Sequence, residues 1–202
     1  RFRGDELRQL GFVSYLAGSR EELAAALKIP AQQLELDPSL GGNWRPIRVD
    51  LTGVVTAQAV DRLMRAIQQQ REARDVNFVC VQIDSAGGSP RDSVRLANFL
   101  AGLDQSRVRT VAYIPQQARG DAAMVALACD HTVVHPNAIL GGSGAATIDQ
   151  TMATDLREPI RQIAQRKSRD WSLVAAMFDP QLQVHAYRRE GTDEAIYLSP
   201  EE

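Results

Sequence analysis

The segment that most constrains this chain is Val76 to Ile83, a nearly unbroken β-branched and apolar run with stretches of helical period on either side. Such a run is the mark of a strand covered on both faces. Before it, Ile47, Val49 and Leu51 alternate with Arg48 and Asp50, a strand with one polar face; Ala57, Val60, Leu63, Met64 and Ile67 then repeat at helical spacing. After it come a helical face at Val94, Ala97, Leu100 and Leu103, a strand over Val108 to Ile114, and a strand over His131 to His135. Between those two strands, Ala122 to Cys129 is apolar all round, which predicts a buried helix. Strand and helix alternate four times with short turns, so an α/β fold with a mainly parallel sheet and right-handed crossovers is expected.

The ends differ from this middle. Residues 1–45 form a lead-in, in which Ser19-Arg20-Glu21-Glu22 reads as a capping box opening a helix over Leu23 to Lys28, stopped by Pro30 and followed by a turn-rich loop from Asp37 to Asn43. Residues 46–179 form the α/β domain, including a helix around Asp155 to Lys167 and another opened by Asp170. Residues 180–202 form a tail that could make a hairpin about Glu190-Gly191-Thr192-Asp193. With 202 residues, 23 basic against 25 acidic groups and a formal charge of −2, the chain has a full core and no field that would draw it onto nucleic acid. Ala122 to Cys129, at eight residues, is the longest apolar run, far short of the ~20 that span a membrane. Cys80 and Cys129 sit in apolar surroundings and read as buried reduced thiols, so no metal and no cofactor are called for. Only Lys28 and Lys167 interrupt an otherwise all-arginine basic set.

Two glycine-bearing turns follow buried strands: Asp84-Ser85-Ala86-Gly87-Gly88-Ser89-Pro90, and Ala118-Arg119-Gly120-Asp121 at the start of the buried helix. In a parallel sheet both lie at the carboxyl ends of strands, where ligands bind. Gly87 and Gly88 free the backbone to turn its N–H groups toward a ligand, and the helix start at Asp121 adds donors beside them, the frame of an oxyanion hole.

These segments resemble a known group. Asp84 to Ser89 is similar to the Ser-Pro-Gly-Gly turn of the Clp protease and signal peptide peptidase superfamily. Ala126-Leu127-Ala128-Cys129-Asp130, followed by a strand and by Pro136-Asn137-Ala138-Ile139-Leu140-Gly141, resembles the segment after the nucleophile there and in the related crotonases. Val49-Asp50-Leu51-Thr52-Gly53-Val54-Val55-Thr56 looks like the first strand of NfeD-type membrane-bound serine proteases, and Phe178-Asp179-Pro180 through Ser199 like the end of their long form. The lead-in, Leu7 to Val13 with Ser19 to Leu27, resembles the closing segment of an upstream Clp-like unit. The resemblance implies a Clp/crotonase-like fold of repeated β-β-α and βα units, self-association, and a serine nucleophile activated by lysine. With no initiator Met and an ending on Ser199-Pro200-Glu201-Glu202, the chain reads as a soluble fragment of a membrane-associated or exported bacterial protein of the periplasmic side.

Counted back from Asp130, the serine slot falls on Gly120, and the lysine slot falls on Arg161. Glycine carries no nucleophile, and arginine, with a pKa above ~12, is no general base. Lys167 lies six residues beyond Arg161, about 240° round the helix, and is expected to face elsewhere. His131, His135 and His185 fall outside the places where this superfamily keeps its base. An Asp121 side chain aimed into the hole would oppose a developing oxyanion by ~4 kcal/mol at an effective dielectric of 20. The expected function is therefore a Clp/NfeD-like domain without its Ser–Lys dyad, serving as a peptide-binding or assembly module, with a second copy or an extended peptide or membrane-protein segment as partner. Two alternatives remain at this level: a serine hydrolase using an off-register Ser85, Ser89 or Ser143, and a crotonase-like acyl-CoA enzyme holding an enolate on the Gly88 and Asp121 N–H groups.

Overall fold

The computed structural model describes residues 2–13, 15–27, 43–177, 182–188 and 195–200. In chain order its elements are β1 (Phe2–Arg3), α1 (Gly4–Gln9), α2 (Arg20–Leu27), β2 (Pro46–Val54), α3 (Ala57–Arg74), β3 (Phe78–Gly87), α4 (Pro90–Ala101), β4 (Arg109–Ile114), β5 (Gln117–Ala118), α5 (Ala122–Leu127), β6 (His131–Val134), β7 (Ile139–Leu140), α6 (Gln150–Arg166), α7 (Trp171–Ala176), β8 (His185–Arg188) and β9 (Ala195–Leu198).

β3 organises the sheet. It pairs in parallel with β2 along its length, with β4 over its first half and with β5 at Ser85, so the sheet divides there; β6 extends the β4 side, and β7 then β1 extend the β5 side. Within these seven strands only the β1–β7 pair is antiparallel. The division at β3 puts its carboxyl end, with the first glycine turn, beside β5 and the second turn.

Local signals explain the elements. Thr56 caps α3 by accepting from the Ala59 N–H at 3.2 Å, and Val60, Leu63 and Ile67 form its buried stripe. Ser89 caps α4 with Pro90 in its first turn. All six residues of α5 are buried, as its unbroken apolar sequence requires. α6 begins earlier than the expected Asp155, because Asp149 accepts from the Met152 N–H at 2.8 Å and starts the helix at Gln150; Pro159 sits inside it. α2 likewise begins at Arg20, one residue after the Ser19 hydroxyl that accepts from Glu22 N–H at 3.2 Å, while Lys28 and the turn-rich stretch to Gly42 lie outside the described residues.

One expectation is corrected. β3 is buried on one face only: Val79, Val81, Ile83 and Ser85 are covered, whereas Phe78, Cys80, Gln82 and Asp84 are half-buried. The half-buried positions carry the polar members of the run, and Trp44, edge-on to Phe78 with ring centroids 5.2 Å apart, shields one end of that face. The lead-in shares the core, with Leu7, Phe12 and Val13 buried in it and Leu16 bridging Val134. In the tail, β8 and β9 pair antiparallel, Tyr187 opposite Ile196, as a hairpin requires; its expected turn at 190–193 lies outside the described residues.

Candidate functional site

The site forms where the two glycine turns meet. At the end of β3 the chain enters Gly87 in a left-handed conformation (φ +87°), and Gly88 packs so closely on β2 that a Cβ there would stand 2.5 Å from the Val55 carbonyl oxygen. The Gly87 N–H donates to the Ser85 hydroxyl at 3.0 Å and its carbonyl accepts from Val55 N–H at 3.1 Å. The second turn is tied to the first by Arg119 N–H to Ser85 carbonyl at 2.9 Å.

The Gly88 N–H, expected to line an oxyanion hole, donates instead to the carboxylate of Asp121, at 3.0 and 3.2 Å from its two oxygens. The Ser93 hydroxyl of α4 donates to the same carboxylate at 2.6 Å. Asp121 is 1% exposed. It stands at the N-cap position of α5, yet its side chain makes no capping bond to that helix. The Gly88 N–H and the Ser93 hydroxyl thus already share one buried carboxylate as acceptor.

At Gly120, the position that the resemblance assigns to the nucleophile, the segment Gly141 to Ala145 packs across the turn. Gly120 is buried, with φ +51°, and a Cβ on it would lie 2.7 Å from the Gly144 Cα. The crossing segment is bonded in place: Gly120 N–H donates to the Gly142 carbonyl at 3.0 Å, Gly141 N–H to the Ala118 carbonyl at 2.9 Å, and Ala145 N–H to the Ala86 carbonyl at 2.6 Å. Side chains larger than hydrogen are excluded at Gly120 and Gly144 alike, since a Cβ at Gly144 would meet both Gly120 and the Ala86 carbonyl.

The remaining candidates do not converge here. Arg161 stacks on Trp171, its guanidinium carbon 4.4 Å from the ring centroid. Lys167 faces elsewhere, as its angular offset requires, and pairs with Asp130 at 2.6 Å beyond the far end of α5. Ser85 is buried and donates to the Gly53 carbonyl; Ser89 caps α4 and donates to Asp92 at 2.6 Å; Ser143 is exposed on the crossing segment. His131 lies 3.0 Å from Arg109, His135 accepts from Asn137 N–H at 3.3 Å, and His185 is exposed on β8. Among the described residues there is no cluster of three or more metal-ligating side chains, and no helix is long and apolar enough to cross a membrane.

Sequence reasoning missed the crossing segment and the partnership of Asp121 with Ser93. The signal for the first was present in Gly141-Gly142-Ser143-Gly144, whose glycines permit backbone to lie on backbone. The second had no local signal, because Ser93 and Asp121 are brought together only by the packing of α4 on α5.

The strand order, the paired glycine turns and the buried helix that follows the second of them decide the architecture. The chain has a Clp-protease-like fold. Among solved structures it is similar to a serine-to-alanine mutant of the 1510-N membrane-bound stomatin-specific protease (TM-score 0.55, 16% identity, covering 79% of this chain and 75% of that one). It is similar also to the 1510-N membrane protease specific for a stomatin homolog from Pyrococcus horikoshii (TM-score 0.52, 16% identity, 79% and 68%) and to ClpP1 from Listeria monocytogenes (TM-score 0.50, 12% identity, 77% and 84%). These neighbours are proteins of the NfeD-type and ClpP serine-protease fold. By sequence, no family model and no curated protein matches the chain.

Proposed function

We propose that this chain is a Clp/NfeD-like serine-protease-fold domain that has lost the Ser–Lys dyad and works as an assembly or peptide-binding module of a larger protein. The reading takes residues 46–179 as that domain, 1–45 as the closing segment of an upstream unit and 180–202 as its tail. The observation that carries it is the Asp121 carboxylate on the Gly88 N–H. An oxyanion bound there would share one donor with a fixed negative charge, costing ~4 kcal/mol at 4 Å and an effective dielectric of 20. Loss of an activated serine costs on the order of 10⁶ in turnover, about 8 kcal/mol, and Gly120 supplies no serine. Assembly is favoured over strand addition because Ala145 already holds the Ala86 carbonyl, while Val54 and Tyr187 stand 63% and 54% exposed.

The test is a fluorogenic casein and peptide assay on the unmodified chain and on a Gly120→Ser/Arg161→Lys double variant. Neither is expected to cleave above background, the variant because Asp121 and Gly144 still fill the site. Robust cleavage by the unmodified chain would sink the proposal.

A further inference from the structure

A cavity of about 670 Å³ opens at the far end of α5 from Gly120, bounded by the α6–α7 junction, the loop after α1 and strand β9. This is within the ~300–1,000 Å³ of small-molecule sites. α6 ends on Ser168 in a left-handed conformation (φ +51°), with Arg169 N–H returning to the Ala164 carbonyl at 2.9 Å. That closure usually takes glycine, so the serine holds backbone strain. Its effect is to bring Lys167 and Arg169 together onto the end of α5.

Neither cation is saturated by what surrounds it. The Lys167 side chain is 2% exposed and bonds Asp130 at 2.6 Å; the other Asp130 oxygen is held by the Thr110 N–H and hydroxyl at 2.7 and 2.9 Å. An ammonium has three donors, of which the bond to Asp130 uses one, and Lys167 lines the cavity. Arg169 donates to the carbonyls of Leu127, Phe12 and Cys129 and to the Thr132 hydroxyl, all neutral acceptors. Its charge is thus held largely out of water without a bonded carboxylate, a costly arrangement that an anion relieves. Burial accordingly draws its guanidinium below the ordinary arginine range. Asp170, on the rim, is exposed. The mostly polar lining also includes the partly buried apolar side chains of Leu10 and Tyr197.

We propose that this cavity binds a small organic oxyanion, its phosphate or carboxylate headgroup on Lys167 beside Arg169 and the rest of the molecule along Leu10 and Tyr197. The test is calorimetric titration of the full chain with inorganic phosphate, phenyl phosphate and benzoate. Phenyl phosphate against benzoate distinguishes the two headgroups, and binding of either supports the site. Lys167→Met should abolish binding. In case that variant does not fold, Gly11, on the cavity wall with φ +72° and no atom within 4 Å of an added Cβ, accepts Asn or Asp in its left-handed backbone. Gly11→Asp should bind the probes about fivefold more weakly than Gly11→Asn, the effect of ~1 kcal/mol of repulsion. The proposal is overturned if none of the three probes binds at up to about 10 mM, if the two Gly11 variants bind equally, or if a folded Lys167→Met binds as the unmodified chain does.

Discussion

Two residues decide the chemistry of the glycine-turn site, and each makes a prediction. Asp121 satisfies the Gly88 N–H and the Ser93 hydroxyl in a buried place. Asp121→Ala leaves both donors unmatched and should lower stability by about 1–3 kcal/mol, read from urea unfolding; an unchanged midpoint and slope would show that those bonds are dispensable. Gly120→Ser puts a Cβ against Gly144 at φ +51°, and should destabilise by about 1–3 kcal/mol on the same measurement without bringing hydrolysis. The sequence pointed to Gly120 because Asp130 gives a fixed point to count from, and to Arg161 only by laying residues 161–165 over the lysine-bearing helix of the group it resembles; the proposal rests on that reading. The fate of Asp121 was legible only as a conditional, since its rotamer depends on α4. The thiols belong to this scale too. Burial pushes the Cys129 thiol up to about 12 and raises Cys80 as well, so neither should react appreciably with an alkylating reagent at about pH 8 before unfolding; rapid labelling of the native chain would contradict that.

At the scale of elements, the period of hydrophobic residues revealed β2, β3, β4 and β6 and the helices between them, because these longer elements bury regular faces. It could not reveal which β3 face stays half-open, since Phe78, Cys80 and Val79 are all apolar and only the placement of α3 to α5 chooses between them. The short β5 and β7, two residues each, carry no period to read. The join between α5 and α6 rests on Lys167 and Asp130. Burial pushes the Asp130 carboxyl up, but the Lys167 ammonium and the Thr110 N–H and hydroxyl outweigh it and hold the group below the ordinary carboxylate range. A depressed folded pKa means that this stabilisation is present above the unfolded value, near 4, and is lost as pH falls through the folded one. Unfolding free energy should therefore decline as pH falls below about 4, and Asp130→Asn should remove this component while costing about 3–5 kcal/mol at neutral pH by stranding Lys167. An acid dependence identical in the variant would refute the assignment.

At the scale of the whole molecule, the fold positions a protease-like frame and closes it with its own chain. The crossing segment from Gly141 to Ala145 bonds to both turns, so the frame is braced by its own backbone. Self-association is the corresponding expectation, and light scattering at high concentration should give a mass above that of one chain; a persistent monomer would count against assembly. The central claim, that no serine of this chain is an activated nucleophile, is tested most directly by reaction with a fluorophosphonate probe followed by peptide mapping. The account predicts no labelled peptide, because Gly120 has no hydroxyl, Ser85 and Ser89 are committed to Gly53 and Asp92, and Ser143 lies exposed on the crossing segment. Stoichiometric labelling of Ser85, Ser89 or Ser143, lost on substitution of that residue by alanine, would contradict it.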